Sequence, residues 1–444
     1  MKSMNRLTRW LAVGVLALVA TTWKLWTPQD VFPQIPLLRA ACDWPGWFDW
    51  VCLAVLVASS LTMLCVARRG WVGRSCCAAL AASLLGFFVL DQHRLQPWAW
   101  QFFLLAVLLS LADDTTARRG WRWLVIGIYF WSAVSKLDYT FFHEQGPALL
   151  GGLKQAMGLR GMPNTWTEAL DVCGSVGIAL GEMGVAVLLA WPRARWLSLW
   201  ATTILHVTLL AALGPLGLNH SLGVLLWNVF FLVQNWLLFR TTDEERRQAD
   251  ESLIAQDQPP VGWALLPVVS FVQSAFKRRP DGQECPSYGG DLRNRLALGT
   301  ILVAMTWPVL EPLGYCDHWL AWAVYSAREE SVSVDSYGTP MTKLPIWEIS
   351  HFGTLKLATW SLVVLGVPVY PQNRFQIGVT SALLRADQIN DATVFVYSAG
   401  HRVTGARCGR LLDSSSLEAE LNRYLVNAHP RRTTFGARSR DESP

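Results

Sequence analysis

The chain has 444 residues, 52% of them hydrophobic and 16% charged, with 24 Trp, 9 Cys and a net charge of +5; its mean hydropathy is +0.26. Soluble domains carry about 25% charged residues, and disordered, collagen-like and disulfide-scaffold chains have other compositions again. A polytopic membrane protein with a soluble part attached remains, and its basic residues sit in short clusters beside apolar runs, the pattern of membrane orientation rather than of nucleic-acid binding.

A span across a hydrocarbon core of about 30 Å needs roughly 17–25 apolar residues. Nine runs qualify: 7–23, 49–66, 76–91, 97–113, 121–137, 172–191, 196–213, 220–239 and 296–313. Lys2, Arg6 and Arg9 precede the first run without a small-x-small cleavage site after it, which predicts an uncleaved anchor rather than a signal peptide. Arg68, Arg69 and Arg74 separate spans two and three, Arg118, Arg119 and Arg122 four and five, Arg193 and Arg195 six and seven. Arg240, Arg246, Arg247, Lys277, Arg278 and Arg279 fall between eight and nine. Every second loop is basic, so the positive-inside rule predicts an inner or plasma membrane protein with its N-terminus in the cytoplasm and its C-terminus outside.

The expected fold is an all-α polytopic membrane bundle of about nine transmembrane helices with a small C-terminal extracytoplasmic α+β domain. Residues 1–240 hold eight spans, 241–294 a cytoplasmic insert and 295–314 the ninth span. Within the insert, 261–276 is apolar but short and broken by Pro267, the pattern of an interfacial or re-entrant segment. Residues 315–428 form the outer domain, with strand-like alternation in 321–337 and 391–403 and helices across 347–386. The tail 429–444 reads as disordered.

Ionisable groups inside spans are expensive and mark function by default. Lys136 ends span five on the outer side, and Asp91 and His93 close span three there. Glu182 and His206 each lie about ten residues into their spans, roughly 15 Å deep. Asn219 and His220 open span eight, with Asn228 deeper. A hydrated or ligand-holding cavity in the outer half explains the grouping. The plainer readings are a Lys136 that snorkels to the interface, a Glu182–His206 pair that joins two helices, and solvated interfacial positions for Asp91, His93 and His220. Gly174, Gly177, Gly181 and Gly184 predict close helix approach along span six. Cys42, Cys316 and Cys408 fall outside; in an oxidising compartment Cys316 has either of the others as partner, with free thiols as the alternative. Zinc and haem spacings are absent, so no metal is expected.

The stretch IGIYFWSAVSKLDYTFF, with Tyr129, Phe130, Lys136, Leu137 and Asp138, resembles the signature of the vitamin K-dependent γ-carboxylases, in which Tyr-Phe precedes Lys-Leu-Asp at a helix end. The wider group is the horizontally transferred transmembrane family, distantly similar to DoxX-like membrane proteins. Leu90-Asp91, Gly181-Glu182 and Leu205-His206 agree more loosely. The resemblance implies nine spans, a cytoplasmic N-terminus, a lumenal C-terminal domain and a bridge from the first outer loop, favouring Cys42–Cys316. It also implies a reduced quinone of the vitamin K kind as cofactor and Lys136 as the base that deprotonates it; by depth and position Glu182 and His206 are the expected supporting residues, and Tyr129, Asp91, His93, Asp138, Asn219 and His220 the expected cavity residues. Burial suits a lysine to that work by bringing its amine toward neutrality. The resemblance further implies carboxylase and epoxidase chemistry on an extracytoplasmic protein or peptide. The alternative is a non-enzymatic scaffold, or a component that binds a lipid or small molecule. A transporter is less favoured, for no inverted repeat is visible.

Overall fold

The computed structural model describes residues 2–68, 70–159, 167–240, 288–326, 328–336, 354–386 and 392–432. Among these residues, ten helices of eleven or more residues build the bundle: α1 (Lys2–Thr21), α2 (Trp47–Cys65), α3 (Trp71–Leu90), α4 (Pro97–Leu111), α5 (Asp114–Lys136), α6 (Gly146–Ala156), α7 (Thr167–Ala190), α8 (Arg195–Leu213), α9 (Leu222–Phe239) and α10 (Tyr288–Thr306). Among the described residues, six segments are long and apolar enough to cross a membrane: Trp47–Cys65, Trp71–Leu90, Ala169–Ala190, Pro192–Leu213, Leu222–Phe239 and Leu292–Leu313. Such helices are those of an integral membrane protein. The expected spans at 7–23, 97–113 and 121–137 also fall on helices, but α4 is short and α1 and α5 carry their charge within the helix.

Several of those charges cap helices instead of lying in loops. Asp113 accepts from the Thr116 amide at 2.8 Å and starts α5 seven residues before the apolar run. Arg122 then donates to the Leu238 carbonyl at the end of α9 at 3.0 Å. Arg68 is buried, its Nε donating to the Leu109 carbonyl at 3.1 Å and its guanidinium pairing with Asp114, so it closes α4 rather than remaining a solvated orienting charge.

Helix α6, which apolar run length does not reveal, packs between α7 and α8. Gly174 admits it: a Cβ there would meet Leu150 at 2.7 Å. Gly177, Gly181 and Gly184 face open space, so three of the four expected packing glycines do not carry close approach.

After α10 a 3-10 turn (Trp307–Leu313) leads into an antiparallel sheet of β1 (Ser331–Ser336), β2 (Thr354–Lys356), β3 (Ala392–Tyr397) and β4 (Gly409–Leu412), ordered β2-β1-β3-β4. Val334 opposes Leu355 on one side and Val394 on the other. Strand β1 thus begins ten residues later than expected, because residues 319–326 form turns, with Trp322 and Tyr325 at φ +60 and +63. Helices α11 (Leu357–Leu365), α12 (Asn373–Arg385) and α13 (Ser414–Leu421) complete this part. One apolar core runs through both parts, containing Phe87 and Phe102 of the bundle together with Phe32, Trp360, Phe375 and Val334, so the expected boundary at 314 is no boundary in packing.

The expected disordered tail is ordered where it begins. Arg431 is buried, pairs with Asp49 at 2.7 Å and donates to Gln34 Oε1 at 2.9 Å, while Arg94 pairs with the same Asp49. The apolar segment 261–276 and residues 433–444 lie outside the described residues.

Candidate functional site

On α5 the residues Tyr129, Ser132 and Lys136 are separated by three and four positions and so share one helix face. That face meets α7 and α9. Lys136 Nζ donates to Glu182 Oε2 at 2.7 Å, to Ser132 Oγ at 2.6 Å and to the Ser132 carbonyl at 3.2 Å. All three ammonium protons are therefore placed, and both charged groups are buried. Lys136 turns inward, which overturns the snorkelling reading. Removing one member of such a pair costs about 3–5 kcal/mol, because the other is left charged and unpaired.

A second chain of hydrogen bonds lines the same space. Asn228 Nδ2 donates to the Val224 carbonyl at 2.9 Å, leaving its Oδ1 to accept from His206 Nδ1 at 2.9 Å. With the proton assigned to Nδ1, His206 Nε2 accepts from the Tyr129 hydroxyl at 2.5 Å. The Tyr129 oxygen in turn accepts from Asn235 Nδ2 at 2.7 Å. Glu182 and His206 thus do not pair with each other, as their matching depth suggested; each has its own partner on α5.

Both chains border a cavity of about 50 Å³, lined by Tyr129, Lys136, Glu182, His206, Asn228 and Tyr325. That volume suits a few waters. A larger cavity of about 250 Å³ adjoins it, and Trp227, Val324 and Tyr325 line both.

The remaining expected site residues divide. His220 lines the larger cavity, its Nδ1 accepting from the Ser221 amide at 2.9 Å, and burial lowers its pKa. Asp91 lies away from both cavities, accepting from the Ile35 and His93 amides at 3.2 and 3.1 Å, with burial pushing its carboxyl up to about 6. His93 is wedged between Phe32 and Phe375 with Nε2 at 2.9 Å from the Pro368 carbonyl; burial pulls it down to about 4, so it is a neutral donor where bundle and sheet meet. Neither Asp91 nor His93 is solvated. Asp138 is buried and caps the turn after α5 by accepting from the Phe141 amide at 2.8 Å. Asn219 is exposed, at φ +50 in a turn. Cys42, Cys316 and Cys408 are all free, so the expected bridge is not formed; Cys42 instead contacts Asn427 and the His429 carbonyl.

Ser132, Asn235 and Tyr325 belong to the site without having been expected there. Ser132 lies one turn before Lys136 and Asn235 two turns after Asn228, so helical spacing contains both. Tyr325 has no such signal, for it reaches the bundle through a turn set by left-handed backbone. Among the described residues no group of three or more His, Cys, Asp or Glu is placed to hold a metal. No family model, curated protein or solved structure matches the chain.

Proposed function

We propose that the chain is a nine-span membrane enzyme, N-terminus inside and sheet outside, that takes a proton from a reduced, lipid-soluble quinone at Lys136. The observation that carries this reading is the buried Lys136–Glu182 pair beside a cavity in a membrane bundle, where unneeded charge is expensive. Lys136 acts as a base only after passing its proton to Glu182, 2.7 Å away, which leaves a neutral amine with a lone pair. Tyr129 and His206 line the same cavity, and the Tyr129 oxygen, whose proton goes to His206 and which accepts from Asn235, keeps a lone pair that can accept from and orient a quinol hydroxyl. The resemblance to the γ-carboxylases supplies the quinone, and the oxygen-dependent chemistry that follows deprotonation belongs to the same proposal.

A quinone ring is larger than a 50 Å³ space, so the wall formed by Trp227, Val324 and Tyr325 has to move for it to enter from the larger cavity. The same small volume favours a second reading, in which the two polar chains only join helices and the molecule is a binding component without turnover. Purified protein given a naphthohydroquinone and oxygen separates the two: the enzyme consumes the quinol and Lys136→Ala does not. Reporter fusions after residues 245 and 325 test the orientation by falling on opposite sides.

A further inference from the structure

The larger cavity holds two polar groups that the helix-to-helix chains do not use. Among the described residues the Glu329 carboxylate has neither a hydrogen-bond nor an ion-pair partner, and it lines this cavity. The Tyr325 hydroxyl, on the wall shared with the Lys136 cavity, is buried and likewise makes no hydrogen bond. A buried polar group left without a partner costs about 1–3 kcal/mol, so the Tyr325 hydroxyl, with the half-buried and unpartnered Glu329 carboxylate on the same cavity, points to a ligand that satisfies both. Tyr325 is held there at φ +63, and strain of that kind gathers at ligand sites.

The other walls narrow the chemistry. Trp98, Trp227 and Trp319 line the cavity with Tyr325, giving four aromatic residues around one carboxylate. Aromatic rings attract a cation to their faces, and they do so most strongly where water is excluded. We propose that this cavity is a binding site for an organic ammonium group, held by the charge of Glu329 and by the rings of Trp98, Trp227, Trp319 and Tyr325. Burial raises the Glu329 carboxyl to about 7 against the pull of His318 and Arg407, neither of which contacts it, so a cation seated beside it draws it into the charged form, and burial lowers the pKa of His220 on the wall. The inference stands apart from the role of Lys136 and does not rest on it. It does bear on substrate class, since a buried carboxylate repels an anionic glutamate side chain and admits a cationic group.

The test is calorimetric titration of the full chain in phosphatidylglycerol nanodiscs with choline, with ethanolamine, and with 3,3-dimethylbutan-1-ol, the neutral carbon isostere of choline. At least one ammonium compound is expected to bind, with the isostere ten-fold weaker or more. Glu329→Gln is expected to lose ten-fold or more while melting no lower than the native chain, so that loss of binding is not loss of fold. Phosphatidylcholine nanodiscs identify the source: choline affinity falls in them if a lipid headgroup is the occupant and is unchanged if a free amine is. No binding by either ammonium, equal binding of the isostere, or undiminished binding by Glu329→Gln overturns the assignment.

Discussion

Lys136 Nζ and Glu182 Oε2, on two different helices, lie 2.7 Å apart although 46 positions separate the residues in sequence. Among the described residues neither makes another ion pair, so each depends on the other. Replacing Lys136 with Met or Glu182 with Gln is expected to destabilise the bundle by about 3–5 kcal/mol, whereas replacing both with apolar residues restores most of it. Unfolding of the purified variants in denaturing detergent measures this. Equal losses in the single and double variants contradict a coupled pair.

Tyr129→Phe removes the shared partner of His206 and Asn235, leaving two buried polar groups unsatisfied. A loss of about 1–3 kcal/mol follows. In the proposed reaction Tyr129 orients the quinol and Lys136 takes the proton, so Tyr129→Phe slows turnover and raises KM without abolishing activity. Steady-state kinetics of this variant beside Lys136→Ala distinguishes the roles.

Glu329 gives a pH-dependent prediction with a defined sign. Burial raises its folded pKa from an ordinary 4.5 to about 7, against the opposing pull of His318 and Arg407, while burial lowers the pKa of the wall residue His220. The folded chain therefore keeps this proton where the unfolded chain has released it. Stability is lost as pH rises from about 4.5 to about 7, and the loss persists above that. Glu329→Gln is expected to melt above the native chain at pH 8, with the advantage shrinking as pH falls to 5. The reverse trend contradicts a buried, unpartnered carboxyl.

Arg431 makes a prediction about the C-terminus. It sits against Asp49 with Arg94, and all three side chains are fully buried. Arg431→Ala is expected to cost about 3 kcal/mol, the low end for breaking a buried ion pair, because Arg94 still neutralises Asp49.

The helices were legible because hydropathy and 3.6-residue spacing are local properties. Run length alone found nine of the ten bundle helices and missed α6, whose eleven residues are too short to register as a span. It also started α5 late, since Arg118, Arg119 and Arg122 look like a loop until Asp113 is seen to cap the helix they belong to. Lys136, Glu182 and His206 stood out because charge within a span is rare, but their pairing did not follow from depth. Which residue faces which depends on helix rotation, and rotation brings Glu182 to Lys136 and His206 to Tyr129. Long-range turns were the least legible. Tyr325 and Glu329 reach the bundle through backbone with positive φ at Trp322 and Tyr325, residues whose type does not announce that conformation. The order of the tail at Arg431 depends on Asp49, more than 380 positions away.

The most direct test is oxygen-dependent consumption of a naphthohydroquinone by the purified full-length chain in nanodiscs, measured beside Lys136→Ala and Glu182→Gln. Turnover by the native chain, abolished in Lys136→Ala and reduced at least a hundred-fold in Glu182→Gln, is the predicted result. Full turnover in Lys136→Ala, or none in a native chain that is folded and monodisperse, contradicts the account.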